Sequence, residues 1–221
     1  MNLHQDGIEI KEGFIPASVI SEIKTELKES GAKVKRYGLS QADKKLQSIQ
    51  KLVDSQALQE LAIEILGAKP STLRVIYLDK TKDGNWFLPW HQDIKAAVNR
   101  KDETLQWEGW SLEQDINYVQ LPRKVLHKMV TFRVNLDDAN EDNACLQVIP
   151  GSHLFGILHE EKINKLVTKV DAINCCVKAG DLVLMSPLTL HASSKSNKPS
   201  HRGVVHIEYC SYELPEGTHW I

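Results

Sequence analysis

The chain has 221 residues, 42% hydrophobic and 25% charged, which is the make-up of an ordinary globular protein and excludes disordered and fibrous classes. Lys and Arg number 27 against 29 Asp and Glu, a formal charge of -2, without the basic excess that a general nucleic-acid or anionic-membrane binder needs. No apolar run approaches the roughly 18 residues of a membrane span, the opening Met1-Asn2-Leu3-His4-Gln5-Asp6 has no basic-then-apolar leader pattern, and Cys145, Cys175, Cys176 and Cys210 contain no C-x-x-C pair; the expectation is a cytoplasmic protein with reduced thiols.

From Pro16 to Ser30 the residues Val19, Ile20, Ile23 and Leu27 form a helical stripe, with Pro16 suited to the first turn and Gly31 to the exit. A second helix is expected from about Ser55 to Leu66, closed by Gly67. After Pro70 the period changes. Thr72 to Leu78 reads as strand, and Lys128 to Leu136 alternates. Val130, Phe132, Val134 and Leu136 share one face, while Thr131, Arg133 and Asn135 share a polar face that points either into a barrel or at solvent. Further strands are expected at Leu146–Ile149, Ile173–Val177, Leu182–Ser186 and Gly203–Cys210, with turns at Pro150-Gly151, Gly180-Asp181 and Asn197-Lys198-Pro199 and a short helix at about Glu160–Val167. The stretch from 94 to 126 fits neither period and reads as a long irregular insertion, the pattern of an active-site lid. A mostly helical segment over 1–70 and a strand-rich core over 71–221 predict one domain of α+β, mainly β, class: a sandwich or jelly roll with N-terminal helices packed on it.

The sharpest local feature is Trp90-His91-Gln92-Asp93. In a strand, residues i and i+2 point the same way, so His91 and Asp93 present an imidazole and a carboxylate to one point. That is two-thirds of the facial 2-His-1-carboxylate arrangement that binds Fe(II) and leaves coordination positions open. His191, just past the apolar run Leu182 to Ser186, is the best second histidine. Arg202 heads the alternating strand that follows it, and a planar guanidinium fork holds a carboxylate through two parallel charge-assisted bonds. His206 fits a core or surface role, His201 a solvated turn, and His153 either a supporting or a substrate-facing position. Trp86, Trp90, Trp107 and Trp110 either wall a substrate pocket or pack under a loop. Arg74 is either a site residue or half of a structural salt bridge.

His91-Gln92-Asp93, Val148-Ile149-Pro150-Gly151-Ser152-His153, Gly180-Asp181, and His191-Ala192-Ser193 followed by Arg202 resemble, in that order, the phytanoyl-CoA dioxygenase family from about Leu73 to the C-terminus. The resemblance implies a double-stranded β-helix with Fe(II), and with 2-oxoglutarate and O2 as cosubstrates. Carried over position by position, His91, Asp93 and His191 match the metal ligands and form the catalytic centre. Arg202 matches the 2-oxoglutarate anchor, Ser193 a hydroxyl that assists it, and Gln92 a further cosubstrate contact; apart from the resemblance, the inward option for the polar strand face makes Thr131 a cosubstrate contact, and Arg133, His153 and the four tryptophans are the candidate substrate-side residues. The chain is short for members that act on CoA esters. The expected activity is hydroxylation of a small metabolite with release of succinate and CO2, by a protein without nucleic-acid or membrane partners. The alternatives are a non-catalytic jelly-roll binding module and a zinc hydrolase using the same His/Asp/His set.

Overall fold

The computed structural model describes residues 1–31, 38–198 and 201–221, so Pro199 of the turn expected at Asn197-Lys198-Pro199 lies outside them. The strands, in chain order, are β1 (Ile8–Lys11), β2 (Leu39–Ser40), β3 (Ser71–Asp79), β4 (Leu88–His91), β5 (Lys95–Val98), β6 (Ser111–Glu113), β7 (Ile116–Gln120), β8 (Met129–Asn135), β9 (Leu146–Val148), β10 (Ile173–Cys175), β11 (Leu182–Met185), β12 (His191–Ser193) and β13 (Gly203–Cys210). Two antiparallel sheets face each other, with orders β1-β11-β8-β13-β3-β2 and β10-β9-β12-β4. Except for the edge pairs β3-β2 and β10-β9, neighbours in both sheets are distant in the chain, as a double-stranded β-helix requires.

The expected alternation of β8 is real, yet the whole strand is buried. Val130, Phe132 and Val134 turn outward, against the helices Ala17–Glu29, Gln47–Val53 and Gln56–Leu66, which supply Ile20, Ile23, Ile49, Leu52, Leu58 and Leu61 to one apolar cluster. Each such side chain removed from water contributes about 1.5–3 kcal/mol. Tyr209 of β13 crosses this layer and donates from Oη to the Val53 carbonyl at 2.8 Å. Thr131, Arg133 and Asn135 turn the other way, into the barrel, which decides the alternative left open for that face. A second apolar cluster of Ile8, Leu146, Val148, Val183 and Met185 closes the space between the sheets at one end.

One sequence expectation is corrected and two elements are added. In the mostly helical first 70 residues, Ile8-Glu9-Ile10-Lys11 alternates and adds β1 to the edge of the large sheet, paired with β11. The helix Gln47–Val53 was not expected either, because its stripe of Ile49, Leu52 and Val53 is short. The stretch 94–126 is not irregular. Its strands form a third sheet, β5-β7-β6, too short and half-exposed for a clear period in the sequence.

Gly7 shows how the N-terminus supports the barrel. It turns into β1 at φ 74, where a Cβ would strike Thr189 and His153. Its carbonyl accepts from Thr189 Oγ1 and from the Ser186 N–H, both at 2.8 Å, fixing the loop that leads into β12.

Candidate metal and cosubstrate site

β12 lies between β9 and β4, and His191 is the register partner of His91. Strand β4 ends at His91. Asp93 follows just beyond, its backbone N–H held by the Pro187 carbonyl at 2.9 Å. The two imidazoles and the carboxylate converge: His91 Nε2 is 3.7 Å from Asp93 Oδ1, His191 Nε2 is 3.5 Å from Asp93 Oδ2, and the ring centroids are 4.1 Å apart.

Their hydrogen bonds settle the tautomers. His91 Nδ1 donates to the Pro89 carbonyl at 2.7 Å and His191 Nδ1 to the Thr189 carbonyl at 2.9 Å. A carbonyl only accepts, so both protons sit on Nδ1 and both Nε2 lone pairs face inward. Burial pushes the His191 imidazole down to about 3, against the pull of Asp93, so the ring is neutral. Burial by itself would raise the Asp93 carboxyl, but His191, His206, Arg74 and His91 together hold it below its ordinary value. Asp93 Oδ2 is buried without a hydrogen-bond partner. Two imidazole Nε2 atoms and one carboxylate aimed at a single point, with an Asp93 oxygen left unpartnered, form a donor set that fits a divalent metal.

Asp93, His206 and Glu208 also bring ligand atoms within 4.8 Å of one another, but both ring nitrogens of His206 are engaged in hydrogen bonds. Arg133 Nη1 donates to His206 Nδ1 at 3.0 Å, His206 Nε2 donates to Glu208 Oε1 at 3.1 Å, and Arg74 Nη2 pairs with the same Glu208 oxygen. This chain supports Asp93 from behind, with His206 Nε2 3.9 Å and Arg74 Nη2 3.7 Å away. The sequence reading of His206 as a plain core or surface residue missed this place.

Deeper in the barrel stand three cations. Arg202 is 2% exposed, and its Nε has no partner; burial and then Arg133 pull the guanidinium down to about 10. Burial also lowers Arg133. Lys80 is 1% exposed and is pushed down to about 7 by burial, Arg202 and Arg133. Its Nζ donates to Ser193 Oγ at 2.7 Å and to the Ser194 carbonyl, and Ser193 Oγ donates onward to the Ala144 carbonyl at 2.9 Å. Thr131, expected at the cosubstrate, lies instead level with Glu208 and Arg74 in the register, its Oγ1 buried and unpartnered. Buried cations that lower one another and an orphaned guanidinium N–H fit a dianionic guest. Lys80 was missed from sequence; the one available signal was a lysine continuing the inner-face parity of β3.

Other expected site residues sit elsewhere. Gln92 does not reach toward a cosubstrate: its Nε2 donates to the carbonyls of Gly156 and Leu188 at 2.8 and 2.7 Å, and its Oε1 accepts from the Leu158 N–H at 2.8 Å. All its polarity is spent stapling two loops to the metal segment. His153 packs on the N-terminal turn, with Nε2 3.1 Å from the His4 carbonyl. Trp107 stacks on Trp220 and meets Tyr212, while Trp110 donates from Nε1 to the Trp107 carbonyl at 2.8 Å; both pack the small sheet against the C-terminal tail. Trp86 is buried with Lys80 Nζ 5.5 Å over its ring, and Trp90 lies half-buried on β4 beside His91.

Fold and donor set together define a class: a double-stranded β-helix with two imidazoles and one carboxylate converging inside it. The sequence profile described as Phytanoyl-CoA dioxygenase (PhyH) matches residues 3–203, and the chain belongs to that family. No curated protein sequence matches it. Among solved structures, the chain resembles AviO1 from Streptomyces viridochromogenes Tue57 at 19% identity and TM-score 0.70, covering 96% of this chain and 93% of that one. It resembles EctD from S. alaskensis in its apoform at 18% and 0.71, covering 94% and 74%. It also resembles HygX from Streptomyces hygroscopicus with nickel and 2-oxoglutarate bound, at 14% and 0.68, covering 94% and 84%. At these identities the likeness establishes the fold. Among the described residues, no helix is long and apolar enough to cross a membrane.

Proposed function

We propose that the protein is an Fe(II)- and 2-oxoglutarate-dependent oxygenase that hydroxylates a C–H bond of a small metabolite. One observation carries the reading: two Nε2 lone pairs and the Asp93 carboxylate converge with no proton to share, next to buried cations that lack an anion. His91, Asp93 and His191 hold the ferrous ion. Arg202 and Lys80 take the distal carboxylate of 2-oxoglutarate, and Ser193 keeps Lys80 in place. When bound, iron and 2-oxoglutarate supply the oxidising chemistry: one O2 oxygen ends in succinate with loss of CO2, and the other is inserted into the substrate C–H bond. The protein's own part is to fix the tautomers through the Pro89 and Thr189 carbonyls and to keep the ligand carboxylate ionised through Arg74 and the histidines. Membership in the family and neighbours such as the nickel- and 2-oxoglutarate-bound HygX support the choice of cofactors.

The test is anaerobic addition of Fe(II) and 2-oxoglutarate, followed by visible absorption. A weak charge-transfer band in the wild type that is lost in Asp93→Ala supports the assignment; a band unchanged in the variant refutes it. Succinate release stimulated by a member of a metabolite library would then identify substrates.

A further inference from the structure

A cavity of about 470 Å³ opens beside the site, lined by Arg74, Glu208, Tyr118, Ile76, Ala97 and Trp220 among others. That size suits a small metabolite. Arg74 stands at its inner end, within 3.7 Å of Asp93. Its Nη2 is committed to Glu208, yet the side chain stays 36% exposed, so part of the guanidinium faces the cavity.

The charge balance points to an anion. Four cations, Arg74, Arg133, Arg202 and Lys80, are set against three carboxylates, of Asp93, Glu208 and Asp79. A ferrous ion and a 2-oxoglutarate dianion cancel each other and leave that excess in place. Nor is Arg74 within reach of the end of 2-oxoglutarate held by Arg202 and Lys80. Arg74 lies within β3 and Lys80 follows directly after it, six residues on and with the same facing parity, about 20 Å apart at roughly 3.3 Å per residue.

Resting on the oxygenase reading above, we propose that Arg74 anchors the substrate and that the substrate is a free carboxylic acid. Its carboxylate pairs with the exposed part of the Arg74 guanidinium at the inner end of the cavity, and its body lies against Ile76, Ala97 and Trp220. The short distance from Arg74 to Asp93 places the oxidised carbon within a few bonds of that carboxylate. A CoA ester has no free carboxylate at this position and is excluded.

The experiment uses protein loaded with Zn(II), so that no turnover occurs, and saturated with 2-oxoglutarate. Binding of 2-oxoglutarate is measured first by calorimetry; its absence sinks the oxygenase reading itself. On the loaded protein, saturation-transfer NMR then compares hexanoate with its neutral isostere hexanamide. Hexanoate is expected to bind at least tenfold more tightly, without displacing 2-oxoglutarate. Arg74→Gln should abolish that preference and Arg74→Lys should keep part of it. Equal binding of acid and amide to the wild type, displacement of 2-oxoglutarate by hexanoate, or a preference that survives Arg74→Gln overturns the proposal. The wild-type comparison stands even if Arg74→Gln fails to fold.

Discussion

His91 and His191 face each other as register partners across β4 and β12, and each ring gives its Nδ1 proton to the carbonyl two residues before it. The same local device, used on two strands distant in the chain, turns both Nε2 lone pairs toward Asp93. The proposed metal centre is thus prepared by backbone geometry, and removing a donor should affect metal binding more than the fold.

Asp93→Ala should lower affinity for Fe(II), or for Co(II) as a spectroscopic substitute, by more than about 100-fold, since even partners of ligands cost 10–100-fold. Metal titration followed by dialysis and elemental analysis measures this. Retention of one equivalent of metal by the variant would exclude Asp93 as a ligand.

Arg202→Met should separate function from stability. Losing charge-assisted bonds worth about 1.5–3 kcal/mol each should raise the Kd for 2-oxoglutarate at least tenfold. The apo protein should melt at the same or a higher temperature, because a buried guanidinium with an unpartnered Nε gives way to an apolar side chain of similar length. Calorimetry and thermal melts read the two effects; a clear loss of apo stability would mean that Arg202 has a structural partner.

Lys80 makes stability depend on pH. Its folded value, about 7, is depressed from the 10.5 of an exposed lysine. Between those values the unfolded chain binds the proton that the folded protein lacks, so stability rises as pH increases from about 7 toward 10.5. Below 7 the charge is buried and its penalty is present in full. Melting temperatures across this range should climb in the wild type and stay flatter in Lys80→Met. The same group predicts proton uptake when 2-oxoglutarate binds near pH 8, visible as a buffer-dependent calorimetric heat.

Gln92→Ala should destabilise the fold by about 1–3 kcal/mol, the cost of leaving buried backbone groups unpaired. The groups exposed to that loss are the Gly156 and Leu188 carbonyls and the Leu158 N–H. Urea unfolding measures it. Affinity for 2-oxoglutarate should change far less than in Arg202→Met; a change of equal size would return Gln92 to the cosubstrate site.

Much of this arrangement was legible in the sequence. The helical stripe of Ile20 and Ile23, the alternation of Val130 to Asn135, and the helix Glu160–Val167 all appear where their periods put them. His91 and Asp93 could be paired because an i, i+2 spacing in extended chain fixes direction locally. The residues that were missed or misplaced depend on partners from other strands. Glu208 and His206 matter because β13 lies between β8 and β3, which brings Arg133 and Arg74 onto them. Gln92 and His153 carry suggestive neighbours in the chain, yet their hydrogen bonds go to loops and to the N-terminal turn.

Period and spacing are properties of neighbours along the chain, so composition, strand positions and the direction of the His91 and Asp93 side chains were determined by the sequence alone. Sheet order decided the rest. Only the placement of β12 beside β4 brings His191 to His91, and only the close approach of β3 and β12 sets Lys80 against Ser193. The reason is physical: a contact between strands far apart in sequence is chosen by the burial of the whole sheet, and no short window of residues records which strand will lie alongside.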